Sequence, residues 1–168
     1  DHEFSTIPGV VEDVTEIVLN IKELVVNSHS KIPKTIYIKK DHKGEVTAKD
    51  IDADDTIEII NPGLHIATLS KDVKFHLEME VGRGRGYMPA EQNKKEETIS
   101  GFILVDSLFS PVKKVNFSVE NTRVGQRTDY DKLIIEISTN GAISPNVALL
   151  YASNILQCHL DIFINFGQ

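Results

Sequence analysis

Residues 121–137 read NTRVGQRTDYDKLIIEI, and their order decides how the whole chain is read. Arg123, Arg127, Asp129, Asp131 and Lys132 crowd together, and Leu133 to Ile137 then turns abruptly apolar. The apolar run predicts a buried strand ending at Thr139-Asn140-Gly141. The charges before it have two readings. Arginine forks favour planar carboxylate partners and are common interface anchors, which makes the stretch a docking edge. The rival is a solvated loop of self-satisfied ion pairs, which would contribute little stability. Chemistry alone leaves the two evenly balanced.

Downstream, Ser144-Pro145 opens a last helix, with Ser as N-cap and Pro at the first helical position. Leu149, Ala152, Leu156, Leu160 and Phe163 form its apolar stripe. Upstream, Phe102–Val105 and Val115–Val119 read as strands, broken apart by Ser110-Pro111. His65–Leu69 and Phe75–Val81, separated by Ser70-Lys71-Asp72, read as a hairpin. In the second of these, Phe75, Leu77, Met79 and Val81 alternate with His76, Glu78 and Glu80, so one face is buried and the other wet. Residues 82–100 form a long loop holding Lys94-Lys95-Glu96-Glu97, and loops of that length are usually functional or mobile.

Nearer the start, Val10, Val14, Ile17, Val18 and Ile21 share one helical face, with Glu12 and Asp13 in the first turn to suit the helix dipole. Short strands are expected at Leu24–Val26, Thr35–Ile38 and Thr56–Ile60, each closed by turn residues. The fold class is α+β: many short strands, one early helix, one late helix. The Ser110-Pro111 break divides a β-rich first part, residues 1–111, from residues 112–168. Two strands and a helix supply too little apolar area to stand alone comfortably, so the second part needs a partner segment.

The 168 residues carry a net charge of −7. Positive and negative side chains balance over residues 113–168, so the deficit lies wholly in the first part. An acidic surface offers no footprint for phosphate backbones. With 40% hydrophobic and 26% charged residues, the composition is that of an ordinary globular protein. One cysteine, Cys158, excludes an internal disulfide framework and suits a reducing, cytoplasmic setting. No uninterrupted apolar run approaches the roughly 18 residues a membrane span needs, and no membrane partner is expected. The start, Asp1-His2-Glu3-Phe4, is no signal peptide, and without an initiating Met it reads as a fragment.

Several constellations invite chemistry. Gly82-Arg83-Gly84-Arg85-Gly86-Tyr87 follows a strand, and its glycines could present N–H groups to an anion. Met88-Pro89 follows where a phosphate loop needs a helix, so a surface loop or protein contact is the better reading. Asp50, Asp52, Asp54 and Asp55 lack the glycine and distant glutamate of a calcium loop and read as a solvated turn. The histidines at 2, 29, 42, 65, 76 and 159 have no zinc spacing, and His65 reads as structural. Cys158, His159 and Asp161 lie on one helix and project apart, so Cys158 reads as a core thiol. No catalytic motif and no cofactor motif is present.

Four groups of residues together resemble one family. His2-Glu3-Phe4-Ser5-Thr6 with Gly9-Val10 and Glu12-Asp13 comes first. Arg83-Gly84-Arg85-Gly86-Tyr87 with Pro89-Ala90 comes second. Val105-Asp106 with Phe109-Ser110-Pro111-Val112 is third, and Val119-Glu120, Arg123-Val124, Gln126 to Asp129 and Asp131 to Leu133 complete the series. In this order they resemble the N-terminal region of the bacterial-type DNA-directed RNA polymerase α subunit, over almost the whole chain.

The resemblance implies a β-rich insert domain over residues 1–111. It implies the second half of the assembly, or dimerisation, domain over residues 112–168. That half would have antiparallel strands and a C-terminal helix. The family's first half of the assembly domain and its C-terminal DNA-binding domain have no counterpart here, so no direct DNA contact is expected. The implied role is a non-catalytic scaffold in a nucleotidyltransferase complex, for a second α subunit and the β and β′ subunits in transcription. The implied interface is Arg123, Arg127, Asp129, Asp131 and Lys132, with Arg83, Arg85 and Tyr87 as weaker candidates. Lys94 and Lys95 fall where some members carry an acidic activator-contact patch, and that role is not carried over. Rival readings are an RNA- or ligand-binding module on the Gly82–Gly86 loop and a hydrolase using Cys158.

Overall fold

A computed structural model describes residues 5–93 and 101–167. The start Asp1–Phe4 and the Lys94-Lys95-Glu96-Glu97 run lie outside the described residues. The chain divides into two units, Asp1–Ser110 and Pro111–Gln168.

The first unit opens with α1, Val14–Lys22. Its start is set by a capping box: Asp13 accepts from the Glu16 amide at 2.8 Å, and Glu16 accepts from the Asp13 amide at 3.1 Å. Asp13 is therefore the cap and not a first-turn residue, and Val10 lies before the helix in a bridge to Leu69. Ile17 carries the buried face of α1.

Strands β1 (Val26–Ser28), β2 (Lys34–Lys40), β3 (Gly44–Thr47), β4 (Ile51–Asp52), β5 (Ile57–Ile59), β6 (His65–Leu69) and β7 (Phe75–Val81) follow. They form a three-stranded sheet in the order β4-β2-β7 and the pairs β3-β6 and β1-β5, all antiparallel. The core joins both groups. Ile36 and Ile38 from β2, Val46 from β3, Ile66, Ala67 and Leu69 from β6 and Phe75 from β7 are buried. Each large side chain in that set contributes about 1.5–3 kcal/mol through burial. The wet face of β7 is as expected, with His76, Glu78 and Glu80 exposed.

The expected β6–β7 hairpin does not form: β6 pairs with β3, and β7 with β2. The chain passes from one sheet to the other after β2 and again after β6. Asp72 ties the two crossings by accepting from the Lys43 amide at 2.8 Å, and the Ser70 amide donates to the Gly9 carbonyl at 2.9 Å. The polar groups that looked like hairpin closure are used to fasten neighbouring segments. The strand expected at Phe102–Val105 is also absent. Ile103, Leu104 and Val105 instead line a shallow groove of about 220 Å³ against Thr15, Val18, Leu19 and Lys22 of α1, so their apolar surface meets a helix. Short strands β8 (Tyr87–Met88) and β9 (Ser107–Leu108) pair on either side of that stretch.

The second unit is a long antiparallel hairpin, β10 (Val112–Val124) and β11 (Arg127–Thr139), followed by α2 (Pro145–Ile164). Ser144 caps α2 by accepting from the Val147 amide at 3.3 Å, with Pro145 at the helix start. No described residue of this unit is buried. Two expectations fail on that point: Leu133 is 60% exposed on the supposedly buried strand, and Cys158 is an exposed thiol. Phe117 is 75% exposed and Phe163 79%. The apolar pattern names the face that needs a cover, and nothing in the unit supplies one.

α2 is also long and apolar enough, by length and composition, to cross a membrane. Counting uninterrupted apolar residues missed this, because Asn146, Ser153, Asn154, Gln157, His159 and Asp161 punctuate a helix that is apolar on average. The core helix of a soluble domain satisfies the same criterion.

Candidate subunit interface

The stretch around Arg123 is the tip of the β10–β11 hairpin. Val124 faces Arg127, so Gly125 and Gln126 make the turn, and Gly125 takes a φ of +62°, open to glycine at no steric cost. The register shifts between Thr122 and Val124, placing an irregularity at Arg123. Such bulges twist the hairpin end and re-aim its side chains.

Arg127 and Asp129 form a forked pair, with Nε to Oδ1 at 3.3 Å and Nη2 to Oδ2 at 3.1 Å. The Arg127 guanidinium also lies 5.5 Å from the centre of the Tyr130 ring. Arg123 turns its Nε to the Gly125 carbonyl at 2.6 Å. Asp131 stands opposite Asn121, and Lys132 opposite Glu120. All five charged residues thus lie on one hairpin end, not in an irregular loop. The pair is open to water: about two-thirds of each of the Arg127 and Asp129 side chains is accessible. An ion pair that exposed stabilises the fold little.

Arg83, Arg85 and Tyr87 belong to the other unit. Arg83 Nη2 donates to the Ser28 carbonyl at 2.9 Å, which fixes the loop to β1. Gly84 allows that loop to lie flat on a ring: a Cβ there would fall 2.4 Å from Phe109. Arg85 makes no hydrogen bond or ion pair among the described residues and points to solvent. Tyr87, 61% exposed, pairs across to Leu108, which is 73% exposed. Desolvation and then the Asp106 carboxylate push its phenol above the ordinary value. Asp106 in turn is held below its ordinary value chiefly by Lys22, whose Nζ lies 3.1 Å away. Nothing in the sequence points to the Lys22–Asp106 pair, whose members are 84 positions apart; Asp106 enters only through the resemblance.

The remaining candidates are accounted for locally. Asp50 accepts from the Thr47 amide and pairs with Lys40, and Asp54 pairs with Lys34 and holds Thr56. Hydrogen bonds from Thr56, then Lys34, bring Asp54 down to about 2. No group of three or more potential metal ligands is found among the described residues. His159 spends its Nδ1 on the Ile155 carbonyl of its own helix turn at 2.8 Å, so it does not serve Cys158.

Residues 1–110 match the model of the RNA polymerase Rpb3/RpoA insert domain. The chain belongs to that family. This insert-domain chain is 53% identical over 167 residues to the DNA-directed RNA polymerase subunit alpha of Symbiobacterium thermophilum. It is 54% identical to the proteins of the same name from Carboxydothermus hydrogenoformans and Moorella thermoacetica. Each alignment covers 99% of this chain and 53% of the relative, so the chain spans about half the length of the curated relatives it matches.

Proposed function

We propose that this chain serves as part of a bacterial RNA polymerase α subunit, a non-catalytic scaffold on which the subunits of a transcribing enzyme assemble in the cytoplasm. Residues 1–111 would act as the insert domain. Residues 112–168 would be the second half of the assembly domain, used with a second α subunit and with β and β′. One observation carries the reading: in a chain whose first 110 residues match the family, the following hairpin leaves Val115, Phe117, Val119, Leu133 and Ile135 all exposed. An uncovered apolar sheet face of that extent marks a surface made to be covered by protein. The same argument turns α2 toward protein, because its polar residues would be costly in hydrocarbon.

Arg123, Arg127, Asp129, Asp131 and Lys132 would contact a large subunit, with Arg83, Arg85 and Tyr87 as a lesser contact. In a complex, the Arg127–Asp129 fork would be desolvated and its arginine could serve a partner carboxylate. The test is binding of β and β′ to the Arg123→Ala/Arg127→Ala double variant. Affinity is expected to fall tenfold or more, the 1–2 kcal/mol or larger loss typical of an interface arginine. Unchanged binding with an intact circular dichroism spectrum would overturn the interface assignment.

A further inference from the structure

His65 starts β6 with both ring nitrogens against carboxylates. Nε2 lies 2.8 Å from Glu12 Oε1, and Nδ1 lies 2.9 Å from Glu45 Oε1. A neutral imidazole carries one N–H and one lone pair, so it can donate to only one of these oxygens. Two ionised carboxylates at donor distance are both satisfied only by the imidazolium. Glu12 is the better buried of the two, with 15% of its side chain accessible against 59% for Glu45. It also accepts from the Thr68 amide at 2.6 Å and from the Thr68 hydroxyl at 3.1 Å.

Glu12 belongs to the segment that leads into α1, directly before the Asp13 cap. The Val11 amide donates to the Thr68 carbonyl at 2.9 Å, and Asn20 of α1 donates to the Ile66 carbonyl at 2.9 Å. The entry segment and the last turn of α1 are thus both tied to β6. The charged groups facing the ring are Glu12 from this segment and Glu45 from β3. Its register partner on β3, Thr47, is uncharged.

We propose that His65 is a proton-operated clasp: as an imidazolium it joins the α1 entry segment to β3 and β6, and loss of its proton leaves one N–H for two carboxylates, so that one link is lost and the segment loosens. The electrostatics agree. Glu12 and then Glu45 raise the His65 value above its ordinary 6.5, against desolvation. Burial raises Glu12, but hydrogen bonds from His65 and Thr68 outweigh it and leave the carboxyl below its ordinary 4.5. His65 therefore adds stability that is complete below about 6.5 and lost as pH rises through its raised value. Glu12 adds stability present above about 4.5 and lost as pH falls through its lowered value. The clasp is closed between the two.

The test uses the 168-residue chain, with the His65 ring titrated by NMR and amide exchange followed at Val11 and Thr68 from pH 5.5 to 8.5. The ring midpoint should lie above about 6.5. Protection relative to the intrinsic exchange rate should fall two- to fivefold across that midpoint, the range for a partly exposed ion pair. Glu45→Gln should lower the midpoint and leave the fold intact, since Glu45 is largely exposed. His65→Gln should abolish the pH dependence of protection. A midpoint at or below about 6.5, or protection in the parent chain that does not change with pH, would overturn the proposal. Should His65→Gln fail to fold, the parent and Glu45→Gln titrations decide it.

Discussion

The two units have comparable proportions of apolar residues and reach opposite outcomes. In the first, Ile36, Ile38, Val46, Ile66 and Leu69 are almost wholly removed from water. In the second, Phe117, Leu133, Leu156 and Phe163 are as alternating or as helically spaced as any core residues, yet all stay wet. The difference is one of layers. A sheet or helix buries its apolar stripe only against another element. The first unit brings α1 and two strand groups together, whereas the second holds a single hairpin and a helix with no further layer to close over them. Periodicity states what a segment needs and not whether its neighbours provide it.

The sharpest way to break this comparison is a matched pair of truncations. Ile38→Ala should destabilise the first unit by about 2–5 kcal/mol, the cost of a cavity in a packed core. Phe117→Ala, a larger deletion, should change the stability of this chain by no more than about 0.5 kcal/mol, as an exposed position does. Urea unfolding checks both, and comparable losses would mean that the hairpin face is already covered.

A chain extended upstream by about sixty residues, enough to complete a domain of ordinary size, should sharpen the contrast. Phe117→Ala should then cost about 3–5 kcal/mol, and alkylation of Cys158, exposed in the present chain, should slow at least tenfold. Equal alkylation rates in the two chains would argue against the proposed missing half. The smallest effect belongs to Asp54. Its hydrogen bonds with Thr56 and Lys34 contribute stability that is complete above its ordinary 3.8 and lost as pH falls through about 2. Asp54→Asn should lower the melting temperature slightly at neutral pH and not at all near pH 1, which paired thermal melts would show.

Much of the fold is legible in local sequence because its causes are local. The alternation in Phe75–Val81 and the Ser144-Pro145 start of α2 both depend on adjacent residues. What failed depends on distant ones. Strands β6 and β7 are neighbours in sequence, yet each finds its partner some twenty to forty positions upstream. The Glu12–His65–Glu45 clasp joins residues 53 and 20 positions apart, so no window of sequence contains it. The charged cluster near Arg123 was legible as a cluster, but its placement on a hairpin end follows from pairing along the whole of β10 and β11.

The Phe109–Gly84 contact has a mechanical consequence. Phe109 is among the last residues of the first unit; its ring lies where a Gly84 side chain would be, and its amide donates to the Gly86 carbonyl at 2.7 Å. The ring and that amide hydrogen bond together fasten the last residues of the first unit to the backbone of the Arg-Gly loop. The glycines of the Arg-Gly loop act as a cleat for the outgoing chain, and a methyl group at position 84 would lift the rope from it.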